Sequence, residues 1–175
     1  MKRALLKIIG FTLTELMAVV VIIAILAGMS AGSFKQAIER SHFNEGFQAG
    51  AAVSEAVSRF HYDNLTKASN TRPQMSQLDL ELSKWGECAS SSNYCKKTRY
   101  FEIVIATGGE VRAFRTKKGV RTDYAIYFYP EFGSEHKLEE CLYSNNSGKN
   151  LCVSMGYSLC ASSVCSRSYG YYNNI

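Results

Sequence analysis

Residues 11–34 read FTLTELMAVVVIIAILAGMSAGSF, and this stretch decides the fold. Its 24 residues hold one charge, Glu15. At about 1.5 Å per residue, a helix of that length spans ~36 Å, enough to cross a ~30 Å hydrocarbon core. A carboxylate inside such a segment costs roughly 2.5–3.5 kcal/mol on insertion scales, so Glu15 requires a physical reason. Lys2, Arg3 and Lys7 precede the stretch. Basic flanks of this kind stay cytoplasmic, which directs the remainder of the chain outward.

A removed secretory signal is one reading, with Leu16–Ala27 as its apolar core and a cut near residues 28–33, GMSAGS. Met29 disturbs the small-residue cleavage pattern, and the helical pattern continues past the cut. Beyond Phe34, Ala49, Ala52, Val53, Ala56, Val57 and Phe60 fall on one side of a helix. Arg40, Asn44, Gln48, Glu55 and Arg59 fall broadly opposite, and Glu55 and Arg59 form a favourable i,i+4 pair. One helix from about Thr12 to about Tyr62 accounts for both halves, with Asp63-Asn64 as its stop.

Six cysteines, Cys88, Cys95, Cys141, Cys152, Cys160 and Cys165, all lie in the second half. An even count downstream of an export signal reads as disulfides in an oxidising compartment. Pairing of sequence neighbours is expected: Cys88–Cys95, Cys141–Cys152 and Cys160–Cys165. Zinc is the rival reading, but C-x-x-C pairs are absent and His42, His61 and His136 are scattered. No metal and no cofactor is expected. Three of the 20 basic residues sit in the leader, which leaves 17 against 15 acidic ones. That excess does not by itself argue for a nucleic-acid partner.

The N-terminal residues resemble the start of a type IV pilin precursor. Gly10, Phe11, Thr12, Leu13, Glu15 and Leu16 match a pattern of short basic leader ending in Gly, then Phe, then Glu five residues past the cut, then an unbroken apolar run. The resemblance implies cleavage of Gly10–Phe11 by a prepilin peptidase, N-methylation of Phe11 and retention of the helix. It implies a single-pass inner-membrane precursor, handled by inner-membrane assembly machinery, that becomes part of an extracellular helical homo-oligomer, with minor pilins as further partners. Glu15 of one subunit would then face the Phe11 amine of its neighbour. Many pilins have a proline within this helix; here Gly28 and Gly32 are the flexible positions. Gly46 and Gly50 repeat that small-xxx-small spacing. Phe43 and Phe47 lie off the apolar stripe; contacts between subunits and ordinary core packing are equal readings of them.

The expected fold class is α+β: a long N-terminal helix packed on a small antiparallel sheet. The expected domains are a cleaved leader (1–10), a transmembrane and assembly half (11–33) and an exported head (34–175). Within the head, 63–99 reads as loop, 100–130 as sheet and 131–175 as a disulfide-bounded region. Leu78, Leu80, Leu82 and Trp85 are expected to pack the loop down. Gly108-Gly109 reads as a two-residue hairpin turn, which sets Glu102 opposite Arg115, Ile103 opposite Phe114 and Val104 opposite Ala113. A third strand is expected over Asp123–Tyr129, ended by Pro130, for three or four strands in all. Tyr169, Tyr171 and Tyr172 cluster near the end of the chain.

No G-x-S-x-G, phosphate-cradling glycine loop or H-E-x-x-H occurs, so no enzyme is expected. EHKLEE at 135–140 reads as a solvated face rather than a metal site. Lys96, Lys97, Arg99, Arg112, Arg115, Lys117, Lys118 and Arg121 cluster around the hairpin. Protected strand edges are the preferred reading of this cluster and a nucleic-acid face the alternative. The preferred function is a structural pilus subunit. The alternatives are a type II secretion pseudopilin or minor tip pilin, a secreted disulfide-rich binding protein, and a membrane-tethered enzyme.

Overall fold

A computed structural model describes residues 11–64, 72–89, 92–130, 139–158 and 167–171. The chain divides into two units, Met1–Ile38 and Glu39–Ile175. Helix α1 runs from Leu13 to Asp63, within one residue of the expected bounds. Its end is fixed by Asn64, whose backbone N–H (3.1 Å) and side-chain amide (2.7 Å) both donate to the Phe60 carbonyl. These bonds satisfy a carbonyl that the helix leaves without an internal donor.

In the first unit the described side chains from Phe11 to Ile38 are all exposed. Ordinary folding buries apolar area at about 25 cal/mol per Å². A bare apolar rod is therefore a surface that awaits another apolar phase. Among the described residues no single helix is long and apolar enough to cross a membrane; the bent pair Leu13–Gly28 and Gly32–Asp63 is so by length and composition together.

The second unit is α+β. After a single 3₁₀ turn, Met75–Gln77, come β1 (Gly86–Glu87), β2 (Cys95–Lys97), β3 (Phe101–Ile105), β4 (Val111–Lys117), β5 (Val120–Phe128), β6 (Glu139–Tyr143), α2 (Asn146–Ser154) and β7 (Arg167–Tyr171). The strands lie in sequence order across one sheet. The first six pair antiparallel, and β7 pairs parallel to β6.

α1 covers one face of this sheet. Phe101, Ile103 and Ile105 of β3, Val111 and Ala113 of β4, Ile126 of β5 and Cys141 of β6 are fully buried in one cluster with Val53, Ala56 and Val57. Ala49 and Phe60 pack partly buried against it, so the apolar stripe is the core stripe. Arg40, Asn44, Gln48 and Glu55 of the opposite stripe are exposed. The Glu55–Arg59 pair forms at 3.1 Å.

For Phe43 the structure decides between the two readings. The residue is 1% exposed and stacks on Tyr124 at 5.5 Å between ring centroids, so it belongs to the head core rather than to a subunit contact. Phe47 is half-buried, 5.5 Å from Phe128. Two glycines of the same helix, Gly46 and Gly50, explain how the helix fits the rings of the sheet. A Cβ on Gly46 would lie 2.4 Å from the Phe101 ring, and one on Gly50 would lie 2.3 Å from the Phe128 ring. The small-residue pair thus seats the helix on its own sheet.

The strand register also differs from expectation. Glu102 lies opposite Phe114, Ile103 opposite Ala113 and Val104 opposite Arg112, one residue from the expected pairing. The β3–β4 turn has three loop residues, not two. Gly109 N–H donates to the Ala106 carbonyl at 3.0 Å, and Ala106 N–H to the Glu110 carbonyl at 2.8 Å. Gly109 has φ +85°, the left-handed residue that closes a three-residue loop. The two-residue turn is the next one along, Lys118-Gly119, with φ +52° and +81° between paired Lys117 and Val120. Both central residues with positive φ define the turn whose twist suits a hairpin.

Two regions expected to lack strands contribute them. The 63–99 stretch supplies β1 and β2, which extend the sheet beyond three or four strands. Leu78 is buried, and Leu80, Leu82 and Trp85 pack partly buried, as expected. The C-terminal region adds β6, α2 and β7. Tyr169 and Tyr171 fall in β7, while Tyr172 lies outside the described residues. Disulfides Cys88–Cys95 and Cys141–Cys152 form as expected, with Cα separations of 5.9 and 5.8 Å. The first ties the β1 edge to β2, and the second ties α2 to β6. Cys160 and Cys165 lie outside the described residues.

Alanine at Gly46 gains about 1 kcal/mol of helix propensity. Overpacking a filled core costs typically 1–3 kcal/mol, and the Phe101 ring is itself fully buried. Gly46→Ala is expected to lower the melting temperature of the detergent-solubilised chain by several degrees. Gly32→Ala, whose Cβ would meet nothing within 4 Å, is expected to leave it unchanged. Calorimetry of the two variants checks both.

Candidate functional site

The exposed N-terminal segment begins at Phe11, which is 80% exposed. Thr12 and Glu15 then form a reciprocal pair. The Thr12 N–H donates to Glu15 Oε2 at 3.0 Å, the Thr12 hydroxyl donates to the same oxygen at 2.7 Å, and the Glu15 N–H donates to Thr12 Oγ1 at 3.3 Å. This is a capping box: Thr12 satisfies a free amide of the first turn, and Glu15 satisfies the amide of its own cap. The carboxylate also lies at the positive end of the helix dipole. The box was legible as T-x-x-E at residues 12–15, a signal that the single-acid reading of Glu15 overlooks. Both bonds to the carboxylate fall on Oε2; Oε1 accepts none among the described residues. Gly10 lies outside the described residues.

The basic cluster has a different fate. Arg115 is nearly buried, and its guanidinium donates to both carboxylate oxygens of Glu39 at 3.0 and 3.1 Å. It also donates to the Tyr100 carbonyl at 3.3 Å and lies 2.9 Å from His42 Nδ1, which must accept. Arg121 pairs with Glu102 at 2.8 Å and lies over the Phe114 ring at 3.9 Å. Lys96 pairs with Glu87, Arg112 with Glu110 and Lys117 with Asp123. Five of the eight cations are thus held by carboxylates of the head. Lys97, Arg99 and Lys118 make no ion pair among the described residues.

Asp123 is the junction between β5 and α2. It adopts φ +64° where the β4–β5 register shifts, between Phe114 and Thr116. Its carbonyl accepts from the Ser144 N–H at 2.9 Å, and its carboxylate from the Asn145 amide at 2.8 Å. Asn145 in turn caps α2, accepting from the Gly148 N–H at 2.9 Å. Burial raises the Asp123 carboxyl, but hydrogen bonds from Lys117 and Asn145 outweigh it and hold the group below its usual range. At Glu39 burial likewise opposes, and Arg115 prevails with the same result.

Among the described residues no three of His, Cys, Asp and Glu gather as a metal-holding group. Glu139 and Glu140 of the EHKLEE run are in β6, and Tyr129 donates to Glu140 at 3.0 Å; residues 135–138 lie outside the described residues. A bidentate pair not expected from sequence joins Arg59 to Asp79 at 2.7 and 2.9 Å, tying the end of α1 to the loop that follows.

Comparison with known families matches residues 7–31 to the prokaryotic N-terminal methylation motif. That motif is the signature of type IV pilins and pilin-like proteins; it implies prepilin-peptidase processing and a membrane-anchored precursor. No curated protein and no solved structure matches the chain.

Two outcomes follow from this geometry. Thr12→Ala removes the cap, a change that typically costs ~1 kcal/mol. Amide exchange at residues 14–16 in micelles is expected to accelerate severalfold while that of the head is unchanged. Glu39 and Asp123 have folded pKa values lowered from ordinary values of about 4.3 and 3.9. Their stabilisation is therefore complete above about pH 5 and is lost as pH falls through 4 and below. Melting temperature measured from pH 6 down to pH 2 is expected to fall in that window, and the fall should shrink in the Glu39→Gln, Asp123→Asn double variant.

Proposed function

We propose that this chain is a structural, non-catalytic subunit of a type IV pilus fibre. Prepilin peptidase cuts Gly10–Phe11, Phe11 becomes the methylated N-terminus, and the apolar rod anchors the precursor until it enters the filament. The observation that carries this reading is the run of exposed apolar side chains described between Phe11 and Phe34, headed by one acid within a methylation motif. Removing one member of a buried ion pair costs roughly 3–5 kcal/mol. A filament that joins Glu15 to the Phe11 amine of a neighbour therefore sets its own axial register. Head-to-tail contacts of this kind propagate an open helix rather than a closed ring. The two disulfides suit an exported head.

N-terminal and intact-mass analysis of material sheared from cells tests the reading. The expected product starts at N-methylated Phe11 and keeps the apolar run. A soluble product lacking that run would instead identify a secreted binding protein. Glu15→Ala is expected to leave the head folded and the fibres absent; normal fibres from that variant would remove the role given to Glu15. If deletion abolishes protein secretion while fibres persist, the chain is a pseudopilin.

A further inference from the structure

One end of the head is basic and carries an exposed apolar tip. The apolar run closes at Phe34, and Lys35 follows it; Glu39 and Arg40 come five and six residues after Phe34 in the sequence. The β4–β5 hairpin lies against Glu39: Arg115 bonds it at 3.0 Å and Lys117 Nζ is 3.9 Å from it. At the hairpin tip, Lys117, Lys118, Gly119 and Val120 are all exposed, Val120 by 64%. The neighbouring β2–β3 turn is at the same end, because Thr116 N–H donates to the Tyr100 carbonyl at 2.8 Å. Arg99 of that turn is exposed, as is Arg40 beside Glu39.

The acids facing this end are already occupied. Glu39 is held by Arg115, Asp123 by Lys117 and Asn145, and Glu45 accepts from the Thr98 hydroxyl at 3.0 Å. Arg40, Arg99 and Lys118 make no ion pair among the described residues. Uncompensated positive charge therefore lies at the same end of the head as an exposed valine that closes a two-residue turn.

We propose that this hairpin tip docks the head on an anionic lipid surface while the chain is still membrane-anchored. Val120 inserts among the headgroups, and Arg40, Arg99 and Lys118 contact lipid phosphates. The proposal rests on the membrane-anchored reading above. A basic residue near an anionic leaflet strengthens such contact about fivefold. Three of them with one inserting side chain give a weak contact, breakable when the subunit is extracted into a filament.

The test uses the full chain, as Val120→Trp in a Trp85→Phe background, reconstituted in vesicles. One set is phosphatidylcholine alone; the other is equal parts phosphatidylcholine and phosphatidylglycerol. Brominated acyl chains supply the quencher, and flotation reports anchoring separately. The expected result is flotation with both sets, quenching of the introduced indole only with the anionic set, and loss of quenching at high salt. Lys118→Asn keeps a residue that tolerates the left-handed turn, and is expected to weaken the quenched population about fivefold. Flotation without quenching in either set overturns the docking proposal and leaves the anchored reading intact. Failure to float overturns both. An indole that responds to a duplex DNA oligonucleotide and not to anionic lipid makes the tip a nucleic-acid contact and overturns the proposal.

Discussion

The close seating of α1 on the sheet at Gly46 and Gly50 is the contact on which the head depends. With side chains at these two positions, the helix would stand off the strands by the width of a methyl group. Phe101 and Phe128 fill the space that the glycines leave. Phe43 then reaches Tyr124 and Tyr157 at ring separations of 5.5 and 5.9 Å. Those rings bring β5 and the segment after α2 to the same helix. Glycine inside a helix costs about 1 kcal/mol relative to alanine. Tertiary packing offsets that cost here, because aromatic rings bury far more apolar area than two methyl groups would.

Charge organises the other side of the same architecture. A helix on one face of a sheet leaves strand ends and turns to be closed by polar groups. In this head arginines do much of that work. Arg115 is nearly buried because it has carboxylate and carbonyl partners on two elements, Glu39 of α1 and Tyr100 beside β3. A guanidinium fork can satisfy several acceptors in one plane, which a lysine ammonium cannot. Asp123 plays the matching acidic role, binding the hairpin through Lys117 and the α2 cap through Asn145. Gly148 is needed there, because a Cβ would lie 2.2 Å from the Asp123 carbonyl oxygen.

The elements read best from sequence are those with long periodic patterns. α1 spans many turns of apolar and amphipathic spacing, so its ends emerged within one residue. Neighbouring cysteines paired because short loops bring them together at little entropic cost. Register was misread because Gly108-Gly109 reads as a two-residue turn, whereas the β3–β4 loop has three residues with Gly109 left-handed. Left-handed φ at a lysine is invisible to a search for glycine pairs, and a three-residue loop shifts every partner by one. Phe43 could not be settled from sequence because it lies off the apolar stripe, and only the ring of Tyr124 that meets it decides for the core. β1, β2 and β6 were missed because strands of two to five residues, held by disulfides and neighbours, carry little periodicity of their own. At the N-terminus the T-x-x-E cap was present in plain sequence, but the acid attracted the reading that the threonine shares.

One helix here carries an exposed apolar first half and a packed second half, and a capping box closes its first turn. Without it the first-turn amides would lack protein acceptors. Thr12 supplies two donors to a single carboxylate oxygen, so the anion is partly satisfied within its own chain. The second oxygen keeps its lone pairs. The amine of the proposed intersubunit pair would have that oxygen to approach, so the cap and the proposed pair draw on different atoms of one carboxylate.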